Sequence, residues 1–433
     1  MIGLQGLAGL IFIIVIIFIA FEVIHRTSAT ILGVAAFMLI GVVKNEDIVE
    51  FLDMDILAVV LGLFLLVKGA EDSGLFQWMA TRIMMSSSSP TAFAVLLLTF
   101  TVVLAVFISN IGAMLIMASI TITMAKSLKI KPQTLLIFQA VVINIGGMTL
   151  WIGSIPNIII GLEGGLTFYN FIEYMLPLGL VLYVVTLFIF INRFKKELMP
   201  QPEDEFRDLE FSEWVERAIE ISGLKKAKLK FKSISAAVVM FLTIIGFILG
   251  DQIGLTPAFV AMAGGLSMVL IQSRNPSGIL KRVDWSTVVF LGCLFIMING
   301  LEKIGVIESV AYILSGLLGD NPMQGSIILM WLSGFVSSIV DNIPLSSSIA
   351  PVVKDMIVND GGRVLWWGLV VGTNLGGNIT PIGSPSNVIT IGVASQEGYP
   401  ISFNQFLKIG FSLSIIYLII SSVYIAIRFS NFM

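Results

Sequence analysis

The chain has 433 residues, of which 57% are hydrophobic and only 12% are charged. A soluble domain of this size could not hide so much apolar surface, so the composition predicts a polytopic membrane protein. The net charge of −3 argues against nucleic acid as a partner. A single Cys (Cys293) and a single His (His25) exclude an intrachain disulfide and a zinc site built on Cys and His.

Ten apolar stretches are long enough to cross the roughly 30 Å hydrocarbon layer of a bilayer. They are 4–24, 28–43, 55–70, 133–162, 172–192, 233–250, 256–272, 284–300, 364–394 and 402–427. Two further stretches, 91–126 and 322–357, each turn around a short polar motif without loop-forming residues. We expect these two to be re-entrant hairpins, because irregular backbone at membrane depth survives only when protein or a cavity surrounds it.

Two of the crossing stretches, 133–162 and 364–394, contain clusters of Gly and Pro at their centres. Proline removes a helical hydrogen-bond donor and clashes with the preceding turn, so these clusters predict broken helices. Unwinding frees carbonyl oxygens, which can coordinate Na⁺, and presents helix N-termini, which attract anions.

The second half of the chain repeats motifs of the first half at a nearly constant offset. Asn144-Ile145-Gly146-Gly147 returns as Asn374-Leu375-Gly376-Gly377, and Asn157 returns as Asn387. Five crossings per half would invert the second half relative to the first. We therefore predict an all-α polytopic membrane protein of two inverted-topology repeats, 1–194 and 233–433. Each repeat holds five transmembrane helices, one of them interrupted, plus one re-entrant hairpin.

Basic residues predict how the chain is oriented in the membrane. The linker 195–232 has a basic stretch and a segment, 206–219, with the pattern of an amphipathic helix. Placing this linker in the cytoplasm puts 20 Lys and Arg residues inside and 5 outside, with both termini outside. We expect the plasma membrane as the location.

Polar residues in the hairpin tips and broken helices are the candidates for binding a solute or ion. They are Ser109, Asn110, Asn144, Ser154, Asn157, Asp341, Asn342, Asn374, Asn378, Thr380, Ser384 and Asn387. The alternative is that they only ease close helix packing. The Na⁺ candidates, whose side-chain oxygens can bind a cation, are Asn110, Asn157, Asp341, Asn342 and Asn387.

Asp341 is asymmetric, because its repeat counterpart is Ser109. An ionisable group at membrane depth usually marks an ion or proton pathway, so we expect Asp341 to couple transport to H⁺ or Na⁺. Capping of a helix is the rival interpretation.

Charges elsewhere suggest structural roles. Helix capping is expected of Asp55 and Asp284, and ion pairing of Lys68 with Glu71. The predicted pocket has no evident Arg or Lys to clamp an anion. Trp366 and Trp367 have the pattern of membrane-interface anchors.

The motifs Asp341–Leu345, Leu365–Trp367 and Gly376–Asn387 resemble those of the ion transporter superfamily. The resemblance is to arsenite permeases, NhaD-type sodium/proton antiporters and the P protein, and more distantly to divalent anion/sodium symporters. It implies a scaffold, a mobile transport domain, elevator motion and commonly a homodimer. The hairpins lack the Thr that follows Ser-Asn in the symporters.

These patterns predict an ion-coupled secondary transporter of a small inorganic anion or metalloid such as arsenite, with H⁺ or Na⁺ as coupling ion. The first alternative is sodium/proton antiport, and the weaker ones are di/tricarboxylate–sodium symport and a passive channel. No enzymatic activity and no cofactor are expected. Expected partners are the inorganic solute, membrane lipid and a second copy of the chain.

Overall fold

The structure is a computed structural model that describes residues 3–108, 110–128, 130–194, 211, 213, 215–216, 219, 230–272, 276–357 and 360–430. Every regular element within those ranges is helical. The linker segment 206–219, with its amphipathic pattern, and the basic stretch of the linker lie almost wholly outside the described residues. Val215, which is described, is buried.

Ten helices precede the linker in the part of the chain that the structure describes. They are α1 (Leu4–Ala20), α2 (Arg26–Leu39), α3 (Asp47–Glu50), α4 (Met54–Asp72), α5 (Leu75–Met85), α6 (Pro90–Phe107), α7 (Asn110–Leu128), α8 (Gln133–Thr149), α9 (Ile155–Glu163) and α10 (Phe168–Phe194). The hairpin predicted at 91–126 is the pair α6 and α7, and the interrupted helix predicted at 133–162 is the pair α8 and α9.

Among the described residues after the linker there are ten more α-helices and a short 3-10 helix, Asp360–Arg363. The α-helices are α11 (Phe231–Ile253), α12 (Pro257–Gln272), α13 (Ser277–Leu280), α14 (Trp285–Lys303), α15 (Val306–Leu318), α16 (Pro322–Ser337), α17 (Asn342–Met356), α18 (Val364–Gly376), α19 (Pro385–Gln396) and α20 (Phe403–Arg428). The second hairpin is α16 and α17, and the second broken helix is α18 and α19. The predicted all-α fold, with a helical hairpin and a broken helix in each half of the described chain, is confirmed. The inversion of one half relative to the other stays a prediction.

Five of the described helices have both the length and the apolar character to cross a bilayer. They are Pro90–Phe107, Phe168–Arg193, Phe231–Gly250, Trp285–Lys303 and Phe403–Arg428. The other apolar helices are shorter, among them α8 and α18, which stop at the breaks.

Besides the single-turn α3 and α13, two longer helices, α5 and α15, were not predicted from the sequence. Gly74 and Gly305 immediately precede them with φ of +75° and +78°, the left-handed backbone that glycine adopts without a steric penalty. These two glycines are 231 positions apart, so the unpredicted helices are themselves repeat counterparts. Each helix joins a crossing helix to the hairpin that follows it.

Aspartates begin the crossing helices α4 and α14. The Asp53 carboxylate accepts a hydrogen bond from Ile56 N at 2.8 Å, and the Asp284 carboxylate accepts one from Thr287 N at 3.0 Å. Both satisfy a backbone donor that a helix N-terminus leaves unpaired. Capping by Asp284 is therefore confirmed, whereas Asp55 lies inside the first turn of α4 and the cap is Asp53.

The helices pack as two groups. The six-helix bundle comprises α1, α2, α4, α11, α12 and α14, and the hairpin bundle comprises α6–α10 and α16–α20. Within each bundle the two halves of the chain interlock: α4 packs on α12, α14 on α2, α7 on α19 and α17 on α9. The contact of α4 with α12 is close, because a Cβ added at Gly62 would lie 2.4 Å from the Ala261 carbonyl carbon.

Candidate functional site

The first helix break lies between α8 and α9, and one asparagine organises it. Asn157 Nδ2 donates to the carbonyl oxygens of Gly147 and Leu150, each at 2.8 Å, and more weakly to Met148 O at 3.2 Å. Ser154 is the N-cap of α9, its hydroxyl accepting from Asn157 N at 3.4 Å. The side chain of Asn157 thus replaces the helical donors that the break removes.

The second break, between α18 and α19, uses the same device 230 residues later. Asn387 Nδ2 donates to Gly377 O at 2.8 Å and to Thr380 O at 2.9 Å. The Thr380 hydroxyl donates to Ser338 O in the second hairpin. Ser384, the N-cap of α19, has its hydroxyl 2.9 Å from that of Ser386.

Side chains join the two breaks directly. Asn144 Nδ2 donates to Asn378 Oδ1 at 2.7 Å, and Ser384 Oγ donates to Asn144 Oδ1 at 3.2 Å. A second link runs from Ser154 Oγ to Asn374 Oδ1 at 3.0 Å and from Asn374 Nδ2 to Asn157 Oδ1 at 2.8 Å. The asparagines and serines of this network are essentially fully buried. The structure therefore brings residues of both repeats into one polar interior between the broken helices.

The tip of each hairpin contacts the helix that leads into the break of the same half. Asn110, the first residue of α7, donates through Nδ2 to Asn144 Oδ1 at 2.9 Å. In the second hairpin the Ser337 hydroxyl donates to Thr373 O at 2.7 Å, and Asn342 is buried. Ser109 lies outside the described residues.

Two buried oxygens of this interior lack a hydrogen-bond donor. They are Asn110 Oδ1 and Asn387 Oδ1, one beside each break. Burying such an oxygen without a partner costs on the order of 1–3 kcal/mol, so each is a candidate to contact a bound species. Asn157 Oδ1 differs, because it already accepts from Asn374. The unwound carbonyls that the sequence suggested would be free instead accept from Asn157 and Asn387.

A cavity of about 140 Å³ lies where the hairpin bundle meets the six-helix bundle. The break contributes Gly153 and Ser154, and the first hairpin contributes Ile111 and Gly112. Its opposite wall carries charged side chains, which are Arg26, Lys68, Glu71 and Asp284. The expectation that the pocket lacks an Arg or Lys is therefore wrong. The predicted Lys68–Glu71 ion pair is present at 2.7 Å, inside the cavity wall.

Arg26 lies between this cavity and a wider one of about 660 Å³ that Asp341 lines. Its Nη2 donates to Thr287 Oγ1 at 2.7 Å and lies 3.8 Å from the Asp284 carboxylate. Its guanidinium also covers the Phe290 ring at 5.4 Å. These three contacts hold Arg26 against the six-helix bundle, yet its Nη1 lies 3.7 Å from Asp341 of the hairpin bundle.

Asp341 therefore has two roles in the structure. It caps α17, accepting from Ile343 N at 3.1 Å, and it pairs with Arg26 across the boundary between the bundles. Nine ion pairs join described residues, and the other eight stay within one bundle or one loop. Among the described residues, this pair is the ionic link that relative movement of the two bundles would break.

Sequence reasoning missed Arg26 and Lys68 because both stand at the ends of apolar stretches, where basic residues commonly mark the membrane boundary. Comparison of the two repeats could have marked Lys68. It aligns with Asn299 at an offset of 231, so a cation in one half stands where the other half has a neutral residue. Trp366 and Trp367 were also misinterpreted. Both are buried in the hairpin bundle, and Trp367 packs edge-on against Phe171.

The arrangement of broken helices around a polar interior, with hairpin tips ending at the breaks, is typical of a multi-pass membrane transporter. Comparison with known proteins agrees. A family model described as CitMHS, citrate transporter, matches residues 16–372. The chain belongs to this family.

Relatives of similar length carry transporter names. An uncharacterized transporter of Mycobacterium tuberculosis is 27% identical, covering 97% of both chains, and one of Synechocystis is 26% identical, covering 96% of both. The mouse P protein is 27% identical over 94% of this chain and 58% of its own length. The crystal structure of the Alcanivorax borkumensis YdaH transporter shares the fold, with a TM-score of 0.57 at 15% identity and coverage of 88% and 87%.

Proposed function

We propose that the protein is an ion-coupled secondary active transporter of a small inorganic anion or metalloid such as arsenite. The observation that carries this proposal is the cavity between the bundles. One wall is a helix N-terminus capped by Ser154, and the other presents Arg26 and Lys68. Both the helix end and the cations favour an anionic or strongly polar solute. A volume of about 140 Å³ corresponds to about five waters at roughly 30 Å³ each, enough for a small oxyanion.

We infer Na⁺ as the coupling ion from the two buried side-chain oxygens that lack a hydrogen-bond donor. Asn110 Oδ1 and Asn387 Oδ1 are neutral oxygen ligands beside unwound backbone, the setting in which transporters bind Na⁺. Asp341 and Asn342 stand at the second hairpin tip and are the further candidates on that side. H⁺ is the alternative coupling ion, and Asp341 would carry it.

The division of the helices into two bundles supports alternating access of the elevator type as the proposed mechanism. The six-helix bundle acts as scaffold and the hairpin bundle as the moving transport domain. Arg26 and Lys68 line the cavities at the end of the molecule that the charge bias assigns to the cytoplasm. In this proposal the structure is the inward-facing state. The protein would work in the plasma membrane as a homodimer, with both termini outside.

Sodium/proton antiport is the second candidate, and the carboxylates favour it. Four carboxylates, Glu22, Glu71, Asp284 and Asp341, line the two cavities, against two Lys and Arg side chains, Arg26 and Lys68. A site with surplus negative charge binds cations. Each base is already paired with a carboxylate, Lys68 with Glu71 and Arg26 with Asp341.

The test is solute uptake in proteoliposomes under separate Na⁺ and pH gradients, with arsenite, phosphate and citrate as the solutes. Citrate belongs in this panel because the matching family model is named for it. Uptake of one solute that depends on either gradient is expected. Na⁺-driven proton movement without any solute would establish the antiporter instead. Solute flux that neither gradient changes would overturn coupled transport.

Variants locate the Na⁺ sites within the same assay. Asn110→Ala and Asn387→Ala each remove an unpaired oxygen and are expected to raise the Na⁺ concentration for half-maximal uptake at least tenfold. Asn299→Ala is the matched control, because Asn299 donates to Phe51 O at 2.8 Å in the six-helix bundle, away from the breaks. Unchanged Na⁺ dependence in both site variants would exclude these oxygens as ligands.

A further inference from the structure

A groove of about 710 Å³ opens on the outer side of the hairpin bundle, away from the cavity between the bundles. It lies among the first turns of α8, the last turns of α10 and the first turns of α20. None of the residues assigned above to the transport site lines it. Its two ends differ in chemistry.

The mouth of the groove is polar and basic. Arg193 at the end of α10 and Lys408 near the start of α20 both line it, with Asn192 and Gln405 beside them. Both basic side chains belong to exposed residues. No described acidic residue lines the groove or pairs with either base. The mouth therefore concentrates positive charge and amide donors, which suit a phosphate group.

The floor of the groove is apolar and continues into the outer surface of the bundle. Phe188, Ile409 and Ile416 line it, and Phe188 is 69% exposed. Val184 and Leu180 stand one and two turns before Phe188 on the same face of α10 and are also exposed. From Lys408 to Ile416 the α20 axis advances about 12 Å, which is the span of much of one acyl chain within a single leaflet.

We propose that this groove binds an anionic phospholipid of the phosphatidylglycerol type. Its phosphate lies between Arg193 and Lys408, and one acyl chain runs along Phe188 and Ile416. Basic pockets between transmembrane helices bind anionic headgroups in this manner. The floor selects a lipid over a soluble phosphate, because an inorganic ion would leave the apolar wall uncovered.

Lipid titration followed by native mass spectrometry tests the proposal on the full-length protein in detergent. The wild type is expected to retain phosphatidylglycerol in preference to phosphatidylcholine, and excess inorganic phosphate is expected not to displace it. Each basic residue near a headgroup strengthens binding about fivefold, so Arg193→Gln with Lys408→Gln should weaken phosphatidylglycerol binding about 30-fold. The matched control is Arg82→Gln with Lys281→Gln, which neutralises two exposed bases outside the groove.

A second variant tests the floor. Ile416→Trp fills the path of the acyl chain while leaving both charges in place, and it should weaken binding of phosphatidylglycerol at the same site. The proposal is overturned if the wild type does not prefer phosphatidylglycerol, if phosphate displaces the lipid, or if the control pair loses as much binding as the groove pair. Unchanged binding by both groove variants has the same consequence.

Discussion

The ion pair between Arg26 and Asp341 offers a direct measure of how tightly the two bundles are joined. At the observed 3.7 Å separation, two unit charges attract by about 1 kcal/mol in water and about 4 kcal/mol at an effective dielectric constant near 20. Both side chains are about one-fifth exposed, at 20% and 18%. We therefore expect a coupling free energy of about 1–3 kcal/mol, between these limits.

The perturbation is Asp341→Asn, alone and combined with Arg26→Gln. Asparagine caps a helix as well as aspartate does, so the cap on α17 survives and the change removes the charge. The free energy of unfolding in detergent is measured for the wild type, both single variants and the double variant. The double-mutant cycle isolates the interaction of the pair.

Asp284→Asn is the matched control, because Asp284 also caps a helix and also pairs with Arg26, but within the six-helix bundle. Asp341→Asn should alter the dependence of transport on the driving ion more than Asp284→Asn does, because only Asp341 pairs with Arg26 across the boundary between the bundles. A coupling energy below about 0.5 kcal/mol, which is the usual scatter between independent sites, would refute the argument from distance. Equal effects of both variants on ion dependence would refute the special role of the boundary.

Two more predictions concern the backbone and the loops. Gly153→Ala should abolish transport while leaving the protein in the membrane, because an added Cβ would lie 2.5 Å from Gly147 O and force the break apart; uptake at wild-type rate would contradict this. The Lys303 ammonium, hydrogen-bonded to Asp47 at 2.7 Å, holds the pKa of that carboxyl below its usual 3.8. A depressed pKa means that the pair stabilises the fold above the unfolded pKa and that this contribution is lost as the pH falls through the folded pKa. Asp47→Asn should therefore lower the melting temperature more at pH 7 than at pH 3, and equal losses at both pH values would disprove the assignment.

Much of the fold could be predicted because lipid imposes strong rules on sequence. Crossing helices need long apolar runs, and breaks need Gly and Pro, so the ends of α8 and α18 could be placed from Gly146-Gly147 and Gly376-Gly377. The nearly constant repeat offset paired elements that are weak signals alone. Helices α5 and α15 were not predicted because they are short and mixed in polarity. Their sequence signal is the glycine that precedes each of them, Gly74 and its repeat counterpart Gly305.

The candidate site was predicted only on the side of the broken helices. Their asparagines stand out in an apolar context, and the structure places Asn144, Asn374 and Asn378 in one network. The facing wall was missed because Arg26 becomes a cavity residue only through tertiary packing. Nothing in its local sequence separates that position from an ordinary membrane-boundary arginine.

Because helices of the first half pack against helices of the second, the fold has a consequence for biogenesis. During synthesis, α4 leaves the ribosome with its glycine-lined face bare, since α12 is made about 200 residues later. The first hairpin, α6 and α7, likewise lacks its partner until α19 is made. Lys126 at the end of α7 forms an ion pair with Glu397 at the end of α19. Neither half, expressed as a separate polypeptide, would complete its interior, so co-production of both fragments should restore what each lacks.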